Sequence, residues 1–343
     1  MTQHLLPPVW TQPGRFRLLG DDMAEDAATG LVWPRSANPL GYPLPWTEAL
    51  AAVSDMNRRA FLGHADWRMP NRRELRSLID HGEKQPALPQ GHPFRDVFLG
   101  WYWSATSKAG QTAYAWNTHL EGGRTFYSRK DEFRLLWPVR GASRTLPRTG
   151  QVRCFDAEGR ELACAGTGQD GELRAGAPWP EPRFAPMPGG LLDRLTGLEW
   201  RTPGAMNSGG FLNWDEAMRQ GANHGAGWRL PNINELESLV DAGRADPALP
   251  DDFVRGLASP PGPSRPGPSR PGPSRPVSPI QAAGDALADE HSPDEHSPEG
   301  LWSATTSGFD PGWAFVLYAR KGAVGVGFKP NREFCAWLVR AAG

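Results

Sequence analysis

The chain has 343 residues, 39% of them hydrophobic, a length at which a single core usually divides into two domains. Its 37 Lys and Arg against 38 Asp and Glu give a net charge of -1, which excludes the strongly basic surface of a general nucleic-acid-binding protein. The 15 Trp, 40 Gly and 35 Pro predict aromatic core anchors joined by many turns, and therefore a loop-rich fold.

The first residues show no basic segment followed by an apolar one, so no signal peptide is visible. No stretch is long and apolar enough to span a bilayer, and no transmembrane segment is predicted. The sequence as written predicts a cytoplasmic protein, whereas a start further upstream would allow a periplasmic or cell-surface location. Three cysteines are too few for a disulfide scaffold.

Short blocks of sequence recur in the same order in two parts of the chain, which indicates an internal repeat. Residues 29–33, Thr-Gly-Leu-Val-Trp, match residues 196–200, Thr-Gly-Leu-Glu-Trp. Six further pairs of blocks begin at Trp46 and Trp214, Trp67 and Trp228, Glu74 and Glu235, Pro86 and Pro247, Trp103 and Trp302, and Val139 and Val339. The sequence therefore predicts one domain in two copies, at 15–141 (the first repeat) and 183–343 (the second repeat), joined by a linker at 142–182.

Two helices are predicted at the start of each repeat. Apolar residues at helical spacing follow Trp46 in the first repeat, and Asn213 begins the matching helix with a capping box, an N-cap side chain followed three residues later by Glu. The same pattern at Asn71 and Asn232 predicts the second helix of each repeat.

Downstream of the helices the apolar period changes to two, which predicts strands. Residues 113–120 alternate before a Glu-Gly-Gly turn, and residues 313–328 form the matching hairpin around Lys321-Gly322. A final strand ends at residues 139–140 and 339–340.

The linker contains a predicted β-hairpin that turns near Gly159 and sets Cys154 opposite Cys164. A cross-strand disulfide is geometrically reasonable in an oxidising compartment, and two free thiols are the alternative. The second repeat also carries a low-complexity, Pro-rich insertion at about 255–300, which predicts a disordered, solvated loop rather than a metal-binding tract.

These blocks, in this order and in both copies, resemble the DUF1566 family, also called the Lcl C-terminal domain. The resemblance implies an α+β fold of the C-type-lectin-like kind in each repeat, related to the formylglycine-generating enzymes. It also implies a ligand-binding module, because a bacterial surface member of the family binds sulfated glycosaminoglycans. Oxidase chemistry of the formylglycine-generating kind would need two cooperating cysteines near the C-terminal strands, where only Cys335 occurs.

Polar and aromatic residues on the solvent side of the C-terminal hairpins are the candidate ligand-binding residues. Clustered Arg and Lys beside an aromatic ring suit an anionic glycan, although the same residues would also fit an ordinary solvated strand face. The candidates are Asn117, His119, Arg124, Tyr127, Arg129, Lys130, Tyr318, Arg320, Lys321, Lys329, Asn331 and Arg332.

The sequence thus predicts a non-enzymatic protein that binds an anionic glycan or a protein partner, with no catalytic residues, no metal and no cofactor. Two alternatives stay open: a structural or assembly protein whose Pro-rich insertion is a docking segment, and an enzyme of the formylglycine-generating-like group. The ligand and the oligomeric state are left open as well.

Overall fold

The structure, a computed structural model, describes residues 14–201, 210–257 and 300–342. In each repeat three strands, two helices and three further strands follow in that order, and the second repeat adds one helix and a last strand. The first repeat comprises β1 Phe16–Leu19, β2 Met23–Asp26, β3 Leu31–Pro34, α1 Trp46–Arg58, a 3-10 turn Phe61–Gly63, α2 Arg72–Arg76, β4 Trp101–Ser107, β5 Tyr114–His119 and β6 Thr125–Arg129. The linker adds β7 Cys154–Phe155, β8 Glu161–Leu162 and α3 Asp170–Leu173.

The second repeat comprises β9 Phe184–Met187, β10 Gly190–Asp193, β11 Leu198–Arg201, α4 Trp214–His224, α5 Ile233–Ser238, α6 Asp251–Leu257, β12 Leu301–Thr306, β13 Trp313–Tyr318, β14 Ala323–Phe328 and β15 Val339–Ala341. Short helices and small antiparallel sheets alternate throughout, so the chain is a mixed α+β protein, as predicted. In the described ranges, every helix is too short or too polar to cross a membrane.

Each repeat begins with an antiparallel meander, not with two helices, so that prediction is wrong. Strands β1 to β3 precede α1, and strands β9 to β11 precede α4. Each of these strands has only four residues, too few to show a period of two in the sequence. The turn between β2 and β3 depends on Asp26, whose carboxylate accepts from the Ala28 N–H at 3.0 Å and the Thr29 hydroxyl at 2.9 Å.

The predicted helix starts are confirmed. Asn71 accepts from the Glu74 N–H at 3.0 Å, and the Glu74 carboxylate accepts from the Asn71 N–H at 2.9 Å. The same reciprocal bonds cap α5 at Asn232 and α4 at Asn213. Helix α1 instead begins after Pro45 without a side-chain cap.

The C-terminal hairpins of the two repeats join into one six-stranded antiparallel sheet. The strand order is β12-β13-β14-β6-β5-β4, and β14 pairs with β6 through Val324 and Thr125. Each repeat therefore covers an edge strand of the other repeat's sheet. In an isolated repeat, the N–H and C=O groups of that edge strand would have no partner strand.

A buried cluster of charges lies where α2 packs against the second repeat. Arg72, Arg73 and Arg76 are all buried, and they face one carboxylate, that of Glu237 on α5. Arg72 donates to Glu237 at 2.7 Å and to the Gly322 carbonyl at 2.7 Å, whereas Arg73 donates to the Val240 carbonyl at 2.5 Å.

Burial and the neighbouring charges set the pKa values in this cluster. Burial lowers the pKa of Arg73 and of Arg76 to about 10 in spite of the opposing field of Glu237. Burial acts to raise the pKa of Glu237, but Arg72, Arg73 and Arg76 outweigh it and hold that pKa below its ordinary value. Glu237 is thus the main carboxylate that compensates these guanidinium groups in the described ranges, with smaller contributions from Asp170 at Arg72 and Asp241 at Arg73.

Tryptophans anchor the cores, as their matched positions predict. Trp33, Trp46, Trp103, Trp116, Trp137, Trp200 and Trp302 are among the largest fully buried side chains. A buried Arg–Asp pair also recurs in the two meanders: Arg15 donates to Asp26 at 2.6 Å, and Arg183 to Asp193 at 2.7 Å. Both arginines reach across to a helix end, at the Ser77 and Ser238 carbonyls respectively.

A disulfide joins Cys154 and Cys164 in the linker, with their Cα atoms 5.2 Å apart. The predicted register is wrong, because β7 pairs Cys154 with Leu162 and Cys164 lies beyond the ladder. The predicted start of the Pro-rich insertion, at about residue 255, falls inside α6. Its predicted disorder concerns residues 258–299, which lie outside the described ranges.

Candidate functional site

A row of aromatic rings crosses one face of the six-stranded sheet where the repeats meet; we call Trp101, Phe126 and Tyr318 the aromatic row. The centroids of Trp101 and Phe126 are 6.4 Å apart, and those of Phe126 and Tyr318 are 6.3 Å apart. All three side chains are half-buried. The row therefore offers apolar ring surface to solvent across the boundary between the two repeats.

Gly325 on β14 makes room for the aromatic row. A Cβ atom at this position would lie 2.9 Å from Cε2 of Tyr318 and 3.4 Å from Cε2 of Phe126. A larger residue would push the two rings apart, so the row depends on a glycine in the second repeat.

A cation and an imidazole lie at the Trp101 end of the row. The guanidinium of Arg124 is 5.9 Å from the Trp101 ring, and the His119 ring is 4.6 Å from it. Arg124 is exposed, and it forms no ion pair with any carboxylate in the described ranges. Burial lowers the pKa of His119, and Arg124 adds to that effect, so the imidazole is neutral at pH 7.

Polar groups lie beneath the row, beside Phe126. Asn117, which pairs with Phe126 across the strands, donates from Nδ2 to Oγ of Ser128 at 2.8 Å, and Arg134 donates to the same oxygen at 2.9 Å. Among the described residues no group donates to the buried Oδ1 of Asn117. The face under the rings therefore holds a hydrogen-bond acceptor without a partner.

Four of the sequence-predicted residues lie on this face: Asn117 beneath the rings, and His119, Arg124 and Tyr318. The others are dispersed. Tyr127 packs against Trp116 on the opposite face of the sheet, with ring centroids 5.4 Å apart, and Lys321 is exposed in the β13–β14 turn.

Carboxylates neutralise three of the six remaining predicted cations. Arg129 pairs with Asp131 at 2.9 Å, Arg320 with Asp246 at 2.6 Å, and Arg332 with Glu216. Asn331 donates to Glu333 at 2.8 Å. These side chains contribute less positive field to a ligand than their number in the sequence suggests.

The prediction that Asn117, His119 and Lys130 face solvent is wrong, since their relative exposures are 1%, 9% and 0%. Lys130 lies 4.1 Å from the centroid of the Trp46 ring and donates to the carbonyls of Phe155 at 3.1 Å and Asp156 at 3.0 Å. The linker covers this lysine, which a strand pattern within one repeat does not show.

Sequence reasoning missed Trp101 and Phe126, which form most of the aromatic row. The alternation of side chains along the strands could have predicted both positions, because Phe126 lies across from Asn117 and Trp101 lies across from His119. The two predicted residues therefore pointed to a face whose aromatic members were not recognised.

Lys130 should make stability depend on pH, because burial lowers its pKa to about 7. In the unfolded chain a lysine titrates near 10.4, so from about pH 7 to 10 the unfolded state binds more protons than the folded state. The free energy of unfolding should therefore rise with pH in this window, by up to about 1.4 kcal/mol per pH unit.

Urea unfolding of the wild type and of Lys130→Met at pH 7, 8 and 9 measures this dependence. As the pH rises, the free energy of unfolding of the wild type should increase relative to that of Lys130→Met. Lys329→Met is the matched control, since Lys329 contacts Trp214 in the same way but is only half-buried. If the difference in the free energy of unfolding between the wild type and Lys130→Met stayed constant with pH, the lowered pKa of Lys130 would be contradicted.

No metal or thiol centre is evident in the described ranges. They contain no group of three or more His, Cys, Asp or Glu side chains placed to hold a metal ion. Cys335 is half-buried, burial raises the pKa of its thiol, and the chain's other two cysteines are bonded to each other.

The fold defines a mixed α+β protein built from two similar units whose sheets are joined. The model of the Lcl C-terminal domain family matches residues 22–140 and 189–340, so the chain belongs to the Lcl C-terminal domain family, with two tandem matches. No curated protein matches the chain.

Proposed function

We propose that the chain is a non-enzymatic binding protein that holds an anionic glycan on the aromatic row between its two repeats. The observation that carries the proposal is the succession of half-buried rings, Trp101, Phe126 and Tyr318, with the guanidinium of Arg124, which pairs with no carboxylate of the described ranges, at one end. Sugar rings can pack on the aromatic faces, and a sulfate or carboxylate can accept two parallel hydrogen bonds from the arginine.

Two further features support this function. The Cys154–Cys164 disulfide suits an oxidising compartment, where surface glycans occur. The net charge of -1 and the ion pairs of Arg129, Arg320 and Arg332 argue for a local anionic-group site rather than a broad basic surface.

The proposal includes a C-type-lectin-like fold for each repeat, with boundaries at 15–141 and 183–343. The order of helices before an antiparallel sheet in both repeats supports it. The alternative of a docking role for the Pro-rich insertion concerns residues outside the described ranges.

Arg124→Gln should weaken binding of a sulfated oligosaccharide about 10-fold or more, because a charge-assisted hydrogen bond contributes roughly 1.5–3 kcal/mol. Isothermal titration calorimetry against sulfated and desulfated forms of one oligosaccharide, at low and at raised salt, measures the effect. Binding should require the sulfate groups and should weaken with salt.

Arg129→Gln is the matched control, since it removes the same charge from an exposed arginine that already pairs with Asp131. It should leave the affinity nearly unchanged. Equal losses in Arg124→Gln and Arg129→Gln would show that net charge alone acts, and no binding of any polyanion at low salt would sink the glycan proposal.

A further inference from the structure

The first repeat binds the linker through one face, which we call the linker-binding face: Trp46, Asn71, Thr106, Ser107 and Lys130. Asn71 donates to the Ala175 carbonyl at 3.1 Å, and the Thr106 hydroxyl donates to the Asp170 carboxylate at 2.7 Å. Lys130 donates to the Phe155 and Asp156 carbonyls, as described above.

The amide of Gln151 binds the same face by imitating a neighbouring strand. The Ser107 N–H donates to Oε1 of Gln151 at 2.8 Å, and Nε2 of Gln151 donates to the Ser107 carbonyl at 2.7 Å. The linker-binding face thus recognises three chemical features of a polypeptide: main-chain carbonyls, one carboxylate and one carboxamide.

The second repeat has the same groups in the same arrangement; we call Trp214, Asn232, Thr305, Thr306 and Lys329 the matching face. Lys329 lies 4.1 Å from the Trp214 ring centroid, as Lys130 lies 4.1 Å from Trp46.

Two backbone bonds show the same correspondence. The Trp214 N–H donates to the Lys329 carbonyl at 3.0 Å, where the Trp46 N–H donates to Lys130 at 2.9 Å. The Ile233 N–H donates to the Thr305 hydroxyl at 3.0 Å, and the Arg72 N–H donates to Thr106 at 3.0 Å.

The two faces differ in burial. In the first repeat Trp46, Thr106, Ser107 and Lys130 are 0% exposed, and Asn71 is 2% exposed. In the second repeat Asn232 is exposed and the other four residues are half-buried. No segment of the described ranges covers the matching face as the linker covers the first one. Its lysine instead donates to the hydroxyl of Thr306 at 2.8 Å.

We propose that the matching face binds a segment of a partner protein that has the chemistry of linker residues 149–175. The segment would present a carboxamide to the main chain of Thr306, a carboxylate to the Thr305 hydroxyl and main-chain carbonyls to the Lys329 ammonium. The linker of a second copy is the less suitable occupant, because its own first repeat already binds its Gln151, Phe155 and Asp170.

The probe for this site is a synthetic peptide of residues 147–176 with its disulfide closed, labelled and titrated into the full chain. Saturable binding with one peptide per chain is expected. Lys329→Met should weaken it at least 10-fold, as expected for losing a charged donor to two carbonyls. Lys321→Met, an exposed lysine in the same repeat, should bind as the wild type does. An unchanged urea midpoint confirms that Lys329→Met still folds.

Three results would overturn the proposal. The first is no saturable binding up to about 1 mM peptide, and the second is equal affinity in Lys329→Met. The third is evidence of a different occupant, of either of two kinds: binding that appears only after deletion of residues 260–297 would make the insertion the occupant. Self-association in light scattering that Lys329→Met abolishes would likewise make it a second copy of the chain.

Discussion

Glu237→Gln should destabilise the protein by about 3–5 kcal/mol, the usual cost of removing one partner from a buried ion pair. The substitution keeps the size of the side chain but removes the carboxylate that Arg72 and Arg73 contact and that compensates Arg76. Three buried guanidinium groups then lose their main opposite charge. Chemical denaturation followed by tryptophan fluorescence measures the loss.

Glu25→Gln provides the control for Glu237→Gln. Glu25 pairs with Arg17, whose side chain is 70% exposed, so its loss should cost less than about 1 kcal/mol. Similar losses in the two variants would show that the buried cluster does not hold the repeats together.

The cluster also determines the response to acid. The folded-state pKa of Glu237 is lowered, so its stabilising contribution is complete above the unfolded-state pKa, near 4.3. The contribution is lost as the pH falls through the lowered pKa. The free energy of unfolding of the wild type should therefore fall to that of Glu237→Gln only in strongly acidic solution.

Asp193→Asn should cost a further large amount of stability, also about 3–5 kcal/mol. Asp193 is 0% exposed and binds Arg183 through both oxygens, at 2.9 and 2.7 Å. Its carboxylate also accepts from the Leu195 N–H at 3.0 Å and the Thr196 hydroxyl at 2.9 Å, so one change disturbs an ion pair and a turn. Urea unfolding measures the loss.

Asp26→Asn is the equivalent change in the first repeat and should cost about as much, because Asp26 makes the same contacts with Arg15 and Thr29. The two losses should add within about 0.5 kcal/mol, since the sites are separate. Asp22→Asn, at an exposed pair with Arg95, should have little effect. A loss in Asp193→Asn as small as that control would contradict the role of the pair.

Local sequence signals predicted much of the fold. The capping boxes at Asn71, Asn213 and Asn232 were recognisable because an N-cap and its Glu lie within four residues. The tryptophan core followed from matched positions. The meander strands were missed, since four-residue strands carry no period and depend on a turn centred on Asp26.

The candidate site was less predictable, because it depends on contacts between distant segments. The linker buries Lys130, and the pairing of β6 with β14 brings Phe126 close to Tyr318. No sequence pattern within a single repeat predicts either contact. Strand alternation is a local property of each hairpin, so it could place Asn117 and His119 on one face but could not bring Tyr318 of the other repeat close to them.

The joining of β6 to β14 also limits how many repeats can share one sheet. These two strands use up each other's free edge, so in the described ranges the outer strands are β4 and β12. Both carry a register irregularity, between Trp103 and Ser107 and between Trp302 and Thr306, which disfavours the addition of another strand. The sheet is therefore complete with two repeats, and a longer array of this unit would have to grow as separate pairs rather than as a continuous ribbon.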